Sequence, residues 1–463
     1  MLTTPHPDEL SGREVLLLGL GAFGGGAGCA RALAKRGAKL TISDLRSEHE
    51  LADSLATLQG IEFRAAFGGH HEELFRRAEF VVVNPAVPES SAWLEFARTA
   101  GCVLTTEVNL ALRLVPHVPC AAITGTHGKS STAALLTHML RLVPGRTVLG
   151  GNLGGSLLEQ VEGLTAEDQL VVELSSFQLE RLDAPHAWPQ LALITCLRPD
   201  HLDRHGDMQA YSDAKMRLLA FQSARGLALM PADENSLDRF AAAARGRVER
   251  FAPEQLNASE WGLNAEQLPW QESYRASALL MAARAAVELG LPAEKIGLSI
   301  SDFVGLPHRL QELAAPHGYR WIDNGVATHP EPTAAAVQSL SGPISLLVGG
   351  YDKGLPLGEL PQAAERCAQL HLFGAGGKRL FDALSADVQA RARIHPSCQE
   401  AIDAALAELP APAASLLFSP SFASFDEFQN FRDRAGLFQD SCASFHASKQ
   451  KVLVTKASGR TKD

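Results

Sequence analysis

The stretch "AAITGTHGKSSTAALL", from Ala121 to Leu136, decides how this chain folds. Ala121 to Thr124 form a short apolar run, a glycine-rich turn follows, and Ser131 to Leu140 read as an amphipathic helix. Strand, glycine turn and helix in immediate succession build a parallel α/β sheet. The turn also suits an anion, because successive backbone N–H groups and the helix dipole converge there. The common phosphate-loop spelling has a glycine five residues before the Gly-Lys pair, and here that place is Ile123. The string Gly125, Thr126, His127, Gly128, Lys129, Ser130, Ser131 nevertheless keeps the necessary chemistry. Lys129 can neutralise terminal phosphates, and Ser130 or Ser131 can offer a hydroxyl to Mg2+. The alternative is a glycine-bounded helix start with a solvent-facing lysine.

Outward from this loop, the whole chain reads as a globular protein of about three domains. It has 463 residues, 46% of them hydrophobic and 20% charged. No apolar run approaches the length of a membrane span, and "MLTTPHPDELSGREV" lacks the basic-then-apolar order of a secretory signal. Seven cysteines without a CxxC pair fit reduced thiols, so a cytoplasmic protein with no membrane partner is expected. A net charge of −10 argues against nucleic acid as a partner.

Three α/β segments are expected, at 1–107, 108–304 and 305–463. The first opens with "EVLLLGLGAFGGGAGCARALAKRGAKLTISD". Gly19 to Gly24 fit G-x-G-x-x-G after a strand, and Asp44 follows twenty residues beyond the last of these glycines. A redox dinucleotide, another nucleotide and a turn needed only for packing all remain open for this motif. In the second segment, "QLVVELSSFQLE" puts Glu173 at a strand end, where a carboxylate can meet a metal held by the loop. "RPDHLDRHGDMQAYSDAK" gathers Asp200, His201, Asp203, His205 and Lys215. Zinc is conceivable there, but no cysteine pair or H-E-x-x-H fixes tetrahedral ligands, and a turn-and-capping role is the other reading. The third segment holds "YRWIDNG", "ISLLVGGYDKG", "LHLFGAGGK" and "SLLFSPSFASFDEF", each a strand emptying into a loop of small or polar residues.

Taken together, "GLGAFG", "ITGTHGKSS", "GGNLGGSLL", "ELSSFQLE", "PDHLDRHGD" with its downstream lysine, "GLPHRL", "LLVGGYDKG" and "SPSFASFDEFQNFRDRAGLF" resemble the Mur ligase family. They span nearly the whole chain in the family's order, and "ELSSFQLE" and the last string are characteristic of its D-glutamate-adding branch. The resemblance implies three domains: a Rossmann-like UDP-sugar domain, a central P-loop-type ATPase domain, and a C-terminal Rossmann-like domain closing over the site. It implies ATP-dependent amide formation between UDP-N-acetylmuramoyl-L-alanine and D-glutamate through an acyl phosphate, in peptidoglycan precursor synthesis by a monomer. Gly21, Ala22, Phe23, Asp44, Arg46, Asn84 and Asn152 would then face the UDP substrate rather than NAD. Gly125 to Ser131 and Arg309 would hold ATP. Ser130, Ser131, Glu173, His201 and Lys215, the last as a carbamate, would surround Mg2+, with Lys129, Glu173, His201 and Lys215 catalytic. Thr328, Lys353, Ser424 and Phe431 would hold D-glutamate.

The chain departs from the family at several places. Val326 stands where the family carries a lysine near the acyl phosphate, and "ESYRAS" replaces its usual adenine string. Cys196 and Arg198 replace an Asn and a Ser or Thr, and His127 replaces the commoner Asn of the loop. A ligase for another amino acid, including a folylpolyglutamate-type one, and a degenerate nucleotide-binding regulator are therefore the alternative readings.

Overall fold

Strands whose residues are apolar without alternation must be covered on both faces, and this chain is rich in them. Cys120–Thr124, Gln169–Glu173 and Leu191–Ile194 are buried at every position. The computed structural model describes residues 4–21, 24–268, 273–316, 318–408 and 414–458. It falls into two units, Met1–Phe303 and Val304–Asp463.

The first unit holds two sheets, both parallel throughout. One has five strands in the spatial order Arg64–Phe67, Lys39–Asp44, Glu14–Leu18, Phe80–Val83, Val103–Thr105. The other has six, in the order Arg247–Phe251, Leu227–Pro231, Leu191–Ile194, Cys120–Thr124, Gln169–Glu173, Thr147–Gly151. In the second sheet the chain leaves Cys120–Thr124, builds two strands on one side, and then crosses to Leu191–Ile194 on the other. The loop after the central strand thus lies at the reversal of strand order, where α/β sheets leave a crevice for ligands. Gly19 to Gly21 occupy the equivalent place in the first sheet, flanked by the ends of Lys39–Asp44 and Phe80–Val83.

One apolar cluster runs through both sheets, from Val15, Leu17 and Leu33 to Ala122, Val172 and Leu218. Helix Gly25–Lys35 seats against the loop before Leu157–Gln160, and Arg31 forms a two-pronged pair with Glu159 at 2.8 Å on each prong. Glu107, the first residue of helix Glu107–Leu114, is buried nearby and accepts from Ser156 Oγ (2.8 Å) and Leu158 N (2.6 Å).

The helix after the phosphate loop differs from its sequence reading in two ways. It runs Lys129–Leu140, beginning two residues early because Gly128, at φ 79°, supplies the left-handed entry. It is also buried along most of its length rather than amphipathic, since helix Ser273–Glu288 packs over the side that a two-layer unit would leave to solvent.

The second unit has a single six-stranded sheet, ordered Gln311–Leu313, Arg320–Asp323, Ser415–Ser421, Ile344–Gly349, Gln369–Phe373, Ala392–His395. The first pair is antiparallel and the rest are parallel. Among the described residues, no helix is long and apolar enough to cross a membrane.

Candidate active site

The loop after Cys120–Thr124 is shaped by contacts that leave no room for a side chain. Gly125 sits at φ 146°, and a Cβ there would lie 2.0 Å from Thr195 Oγ1. The neighbouring strand end cradles the loop: Thr126 N donates to Cys196 O (2.9 Å), His127 N to Cys196 Sγ (3.3 Å), and Arg198 N to Thr126 Oγ1 (2.9 Å). Thr126 Oγ1 also lies 3.1 Å from the Tyr211 hydroxyl. Lys129 folds back and donates to Gly125 O (3.0 Å) and Thr126 O (2.7 Å). Ser130 is buried and Ser131 partly exposed on the first turn of the helix.

Lys215 comes from the distant helix Met208–Ala220, yet its Nζ donates to the same Gly125 carbonyl at 2.7 Å. It is 1% exposed and lies 4.5 Å from the centre of the Tyr211 ring. Burial first, and then the ammonium of Lys129, hold its amine well below the ordinary lysine range. The second charged group is Glu173, 1% exposed at the end of the adjacent strand. Its Oε1 accepts from Asn152 Nδ2 at 2.9 Å, while its Oε2 is buried with no partner among the described residues. A buried carboxylate oxygen left unbonded is costly unless something completes it. His201 enters helix Leu202–His205 at φ 53°, with its ring 4.7 Å from that of Phe177 and Nε2 3.3 Å from Asp200 Oδ2. Among the described residues, no group of three or more His, Cys, Asp and Glu gathers as a metal cage. One free carboxylate oxygen, serine hydroxyls and a nearby amine instead suit a hard cation held partly by phosphate and water.

In the first sheet, Asp44 turns inward. Its Oδ2 accepts from Leu20 N (2.9 Å) and Gly21 N (3.1 Å), and its Oδ1 from Arg46 N (3.0 Å). Asn84, at the end of Phe80–Val83, donates to Gly19 O (3.2 Å) and accepts from Ala86 N (2.9 Å). Gly21, Asp44, Arg46 and Asn84 are thus brought to one end of one sheet. Ala22 and Phe23 lie outside the described residues. Asn152 belongs to the other sheet, beside Glu173.

In the second unit, Thr328 and Lys353 line one small cleft with Tyr351, Asp352, Ser421 and Ala423. Tyr351 and Ala423 pair as a two-residue antiparallel bridge, so the loops bearing Lys353 and Ser424 are zipped together. Ser424 is buried, and Phe431 begins helix Phe431–Ser458, which Asn430 caps by accepting from Arg432 N (2.8 Å). Arg309 sits between two left-handed residues, His308 (φ 62°) and Leu310 (φ 53°). That uncommon turn is held by the fully buried Asp323, 2.7 Å from His308 Nδ1. Val326, in the loop after Arg320–Asp323, donates its backbone N–H to His308 O at 3.2 Å.

Sequence reasoning missed two supporting groups. Arg434 is wholly buried and donates to Gly349 O, Ala423 O and Phe422 O, at 2.9 to 3.3 Å, clamping the loops of the cleft. Burial lowers its guanidinium to about 10. Thr195, which bonds the His127 carbonyl, is the other. An arginine in a run of otherwise exposed polar residues is the one visible hint of the first; nothing local signals the second.

Comparison with known proteins places this geometry. A family model described as the Mur ligase middle domain matches residues 123–295, and one described as the MurD-like N-terminal domain of Mur ligases matches 13–106. A protein of Roseiflexus sp. named UDP-N-acetylmuramoylalanine--D-glutamate ligase is 34% identical over 94% of this chain and 100% of its own length. One of the same name from Geobacter metallireducens is 34% identical over 93% and 97%. Among solved structures, the UDP-N-acetylmuramate-alanine ligase of Thermotoga maritima matches 93% of this chain and 99% of its own, with TM-score 0.58 at 15% identity. MurF from Acinetobacter baumannii gives 0.57 at 16%, covering 92% of this chain and 93% of its own. The sequence relatives carry the assignment and the structural neighbours the fold: this chain belongs to the Mur ligase family.

Proposed function

We propose that this chain joins D-glutamate to UDP-N-acetylmuramoyl-L-alanine at the expense of ATP, through an acyl phosphate. The observation that carries the reading is the meeting of two lysines on the Gly125 carbonyl, close to a buried carboxylate with one unbonded oxygen. Two anions, the L-alanine carboxylate and the γ-phosphate, must approach each other, so positive charge has to be concentrated there. Lys129 leaves its loop carbonyls to neutralise the transferring phosphate. Ser130, Ser131, Glu173, His201 and Lys215 would hold Mg2+, which would supply positive charge to screen the reacting oxygens.

Lys215 fits a metal site only as an oxygen ligand. A neutral amine adds to carbon dioxide, losing a proton and gaining a carboxylate-like group, and burial shifts this amine toward that neutral form relative to an exposed lysine. In the second unit, Lys353 and Thr328 bind the α-carboxylate of D-glutamate, while Ser424 and the backbone at Phe431 bind the side-chain carboxylate. Arg309 contacts the nucleotide. The D-glutamate amine attacks the carbonyl, the tetrahedral intermediate collapses, and phosphate leaves. Domains 1–107, 108–304 and 305–463 serve UDP-sugar, ATP and amino acid respectively, in a cytoplasmic monomer. Gly21, Ala22, Phe23, Asp44, Arg46, Asn84 and Asn152 face the UDP substrate.

Phosphate release from ATP, assayed with UDP-N-acetylmuramoyl-L-alanine and a panel of amino acids, tests this. Release with D-glutamate alone is expected. Release with another amino acid redirects the specificity, and none under any condition makes the chain a nucleotide-binding regulator.

A further inference from the structure

Two buried arginines tie the metal-facing side of the first unit to the loop that begins at Asn84. Arg204 lies three residues after His201, and its side chain is 11% exposed. Its Nη1 donates to Ala86 O at 3.1 Å, and its Nη2 to Val87 O at 3.1 Å and Glu180 Oε2 at 2.9 Å. The guanidinium lies 4.1 Å from the centre of the Phe177 ring. Arg181, 10% exposed, donates to the same Val87 carbonyl at 3.0 Å, and its Nε lies 2.8 Å from Glu89 Oε2. Phe177 and Glu180 belong to the segment that follows Glu173. The Phe177 ring is 4.7 Å from that of His201. Glu180 is further held by His205, whose Nδ1 is 3.2 Å from Oε1. An unbroken set of contacts therefore runs from Asn84's loop, through the two guanidinium groups, to His201.

This arrangement is costly as a way of packing two loops. Two guanidinium groups are largely buried, and Arg204 Nε and Arg181 Nη1 have no partner there. Apolar residues of similar volume join surfaces at lower desolvation cost. What a guanidinium adds is a rigid planar fork that fixes several acceptors at once. Three of the acceptor bonds go to the backbone carbonyls of Ala86 and Val87, so the fork sets the path of the main chain and not merely its proximity.

We propose that Arg204, assisted by Arg181, is a positioning residue that couples occupancy of the UDP-sugar site to the nucleotide and metal site. The inference rests on the reading above, in which Asn84 contacts the UDP substrate and His201 faces the metal. A ligand that orders the Asn84–Val87 loop then also orders His201 through Arg204 and Phe177. By linkage the metal-nucleotide complex tightens the UDP site by the same factor.

The test measures the affinity of a non-hydrolysable ATP analogue with Mg2+, in the presence and absence of saturating UDP, for the full chain and for Arg204→Lys and Arg204→Ala. In the native chain UDP is expected to tighten the analogue about fivefold or more. Arg204→Lys keeps the charge but loses the fork, and is expected to bring that factor close to one while each ligand alone binds within about twofold of native. In turnover, it raises KM for the UDP substrate without changing KM for D-glutamate. Unchanged coupling in a natively melting Arg204→Lys variant overturns the proposal, whether or not the alanine variant folds. So does a native chain that binds UDP without any coupling. A native chain that fails to bind UDP at all instead overturns the assignment of the UDP site, and the proposal with it.

Discussion

The first unit contains the same local device twice, and the two copies are completed by opposite hydrogen-bonding groups. Both are a central parallel strand, a glycine turn and a helix at a reversal of strand order. At Gly19–Gly21 the flanking strand contributes Asp44, whose carboxylate accepts the turn's own amides at Leu20 and Gly21. At Gly125–Gly128 the incoming groups are Lys129 and Lys215, which donate to carbonyls of the turn. One turn already satisfies its donors with an internal carboxylate; the other already satisfies its acceptors with lysine amines. The backbone motif therefore does not choose the ligand. The groups that neighbouring strands and helices send into it do, because they decide which of the turn's amides and carbonyls are already engaged.

The largest effect that sharpens this contrast is expected at Lys129. Lys129→Ala should lower kcat for phosphate release on the order of 10²–10³-fold, the scale of removing one preorganised electrostatic group. A loss of less than tenfold would put the reacting phosphate elsewhere. Next is Lys215→Ala, which should also abolish most activity and be partly restored by short carboxylic acids. Intact-protein mass of the native chain should show one added carbon dioxide that the variant lacks. An unmodified native amine together with no rescue would remove Lys215 from the metal site.

The other copy should respond more gently. Asp44→Asn keeps an acceptor for the turn amides but removes the charge, and should raise KM for the UDP substrate roughly tenfold, the equivalent of about 1.4 kcal/mol. KM for ATP should stay within about twofold; equal changes in both would mean the two turns do not serve separate ligands.

The smallest effect concerns Glu107, near where the two copies meet. Burial raises its carboxyl to about 7. A folded-state value above the unfolded value of about 4.3 means the folded protein binds the extra proton between those pH values. Stability contributed by this group is thus full below about pH 4.3 and lost as pH rises to about 7. Glu107→Gln should remove that decline, on the order of 4 kcal/mol at most, in chemical denaturation followed from pH 4.5 to 7.5. A variant as pH-dependent as the native chain would show that Glu107 is ionised in both states.

Much of this was legible from residues close in sequence. Strand, turn and helix around Gly125 follow from spacing alone, whereas Thr328, Lys353 and Ser424 are named only through the resemblance to the Mur ligase family. The burial of helix Lys129–Leu140 was not legible, since its covering helix Ser273–Glu288 lies more than a hundred residues away. Nor was the clamp at Arg434, whose partners are carbonyls, identical in every residue type and therefore silent in sequence.

The sequence by itself determined the parallel α/β architecture, the position of both glycine turns and the chemical identity of the groups near them. Periodicity and turn chemistry act over a few residues, and a linear reading captures them. Only the tertiary structure decided that Lys215, ninety positions from Gly125, donates to its carbonyl, that Asp44 is spent on its own turn, and that Glu173 keeps one oxygen unbonded. Those outcomes depend on how strands register and which groups lose water, and burial rather than residue type sets the charge a lysine carries.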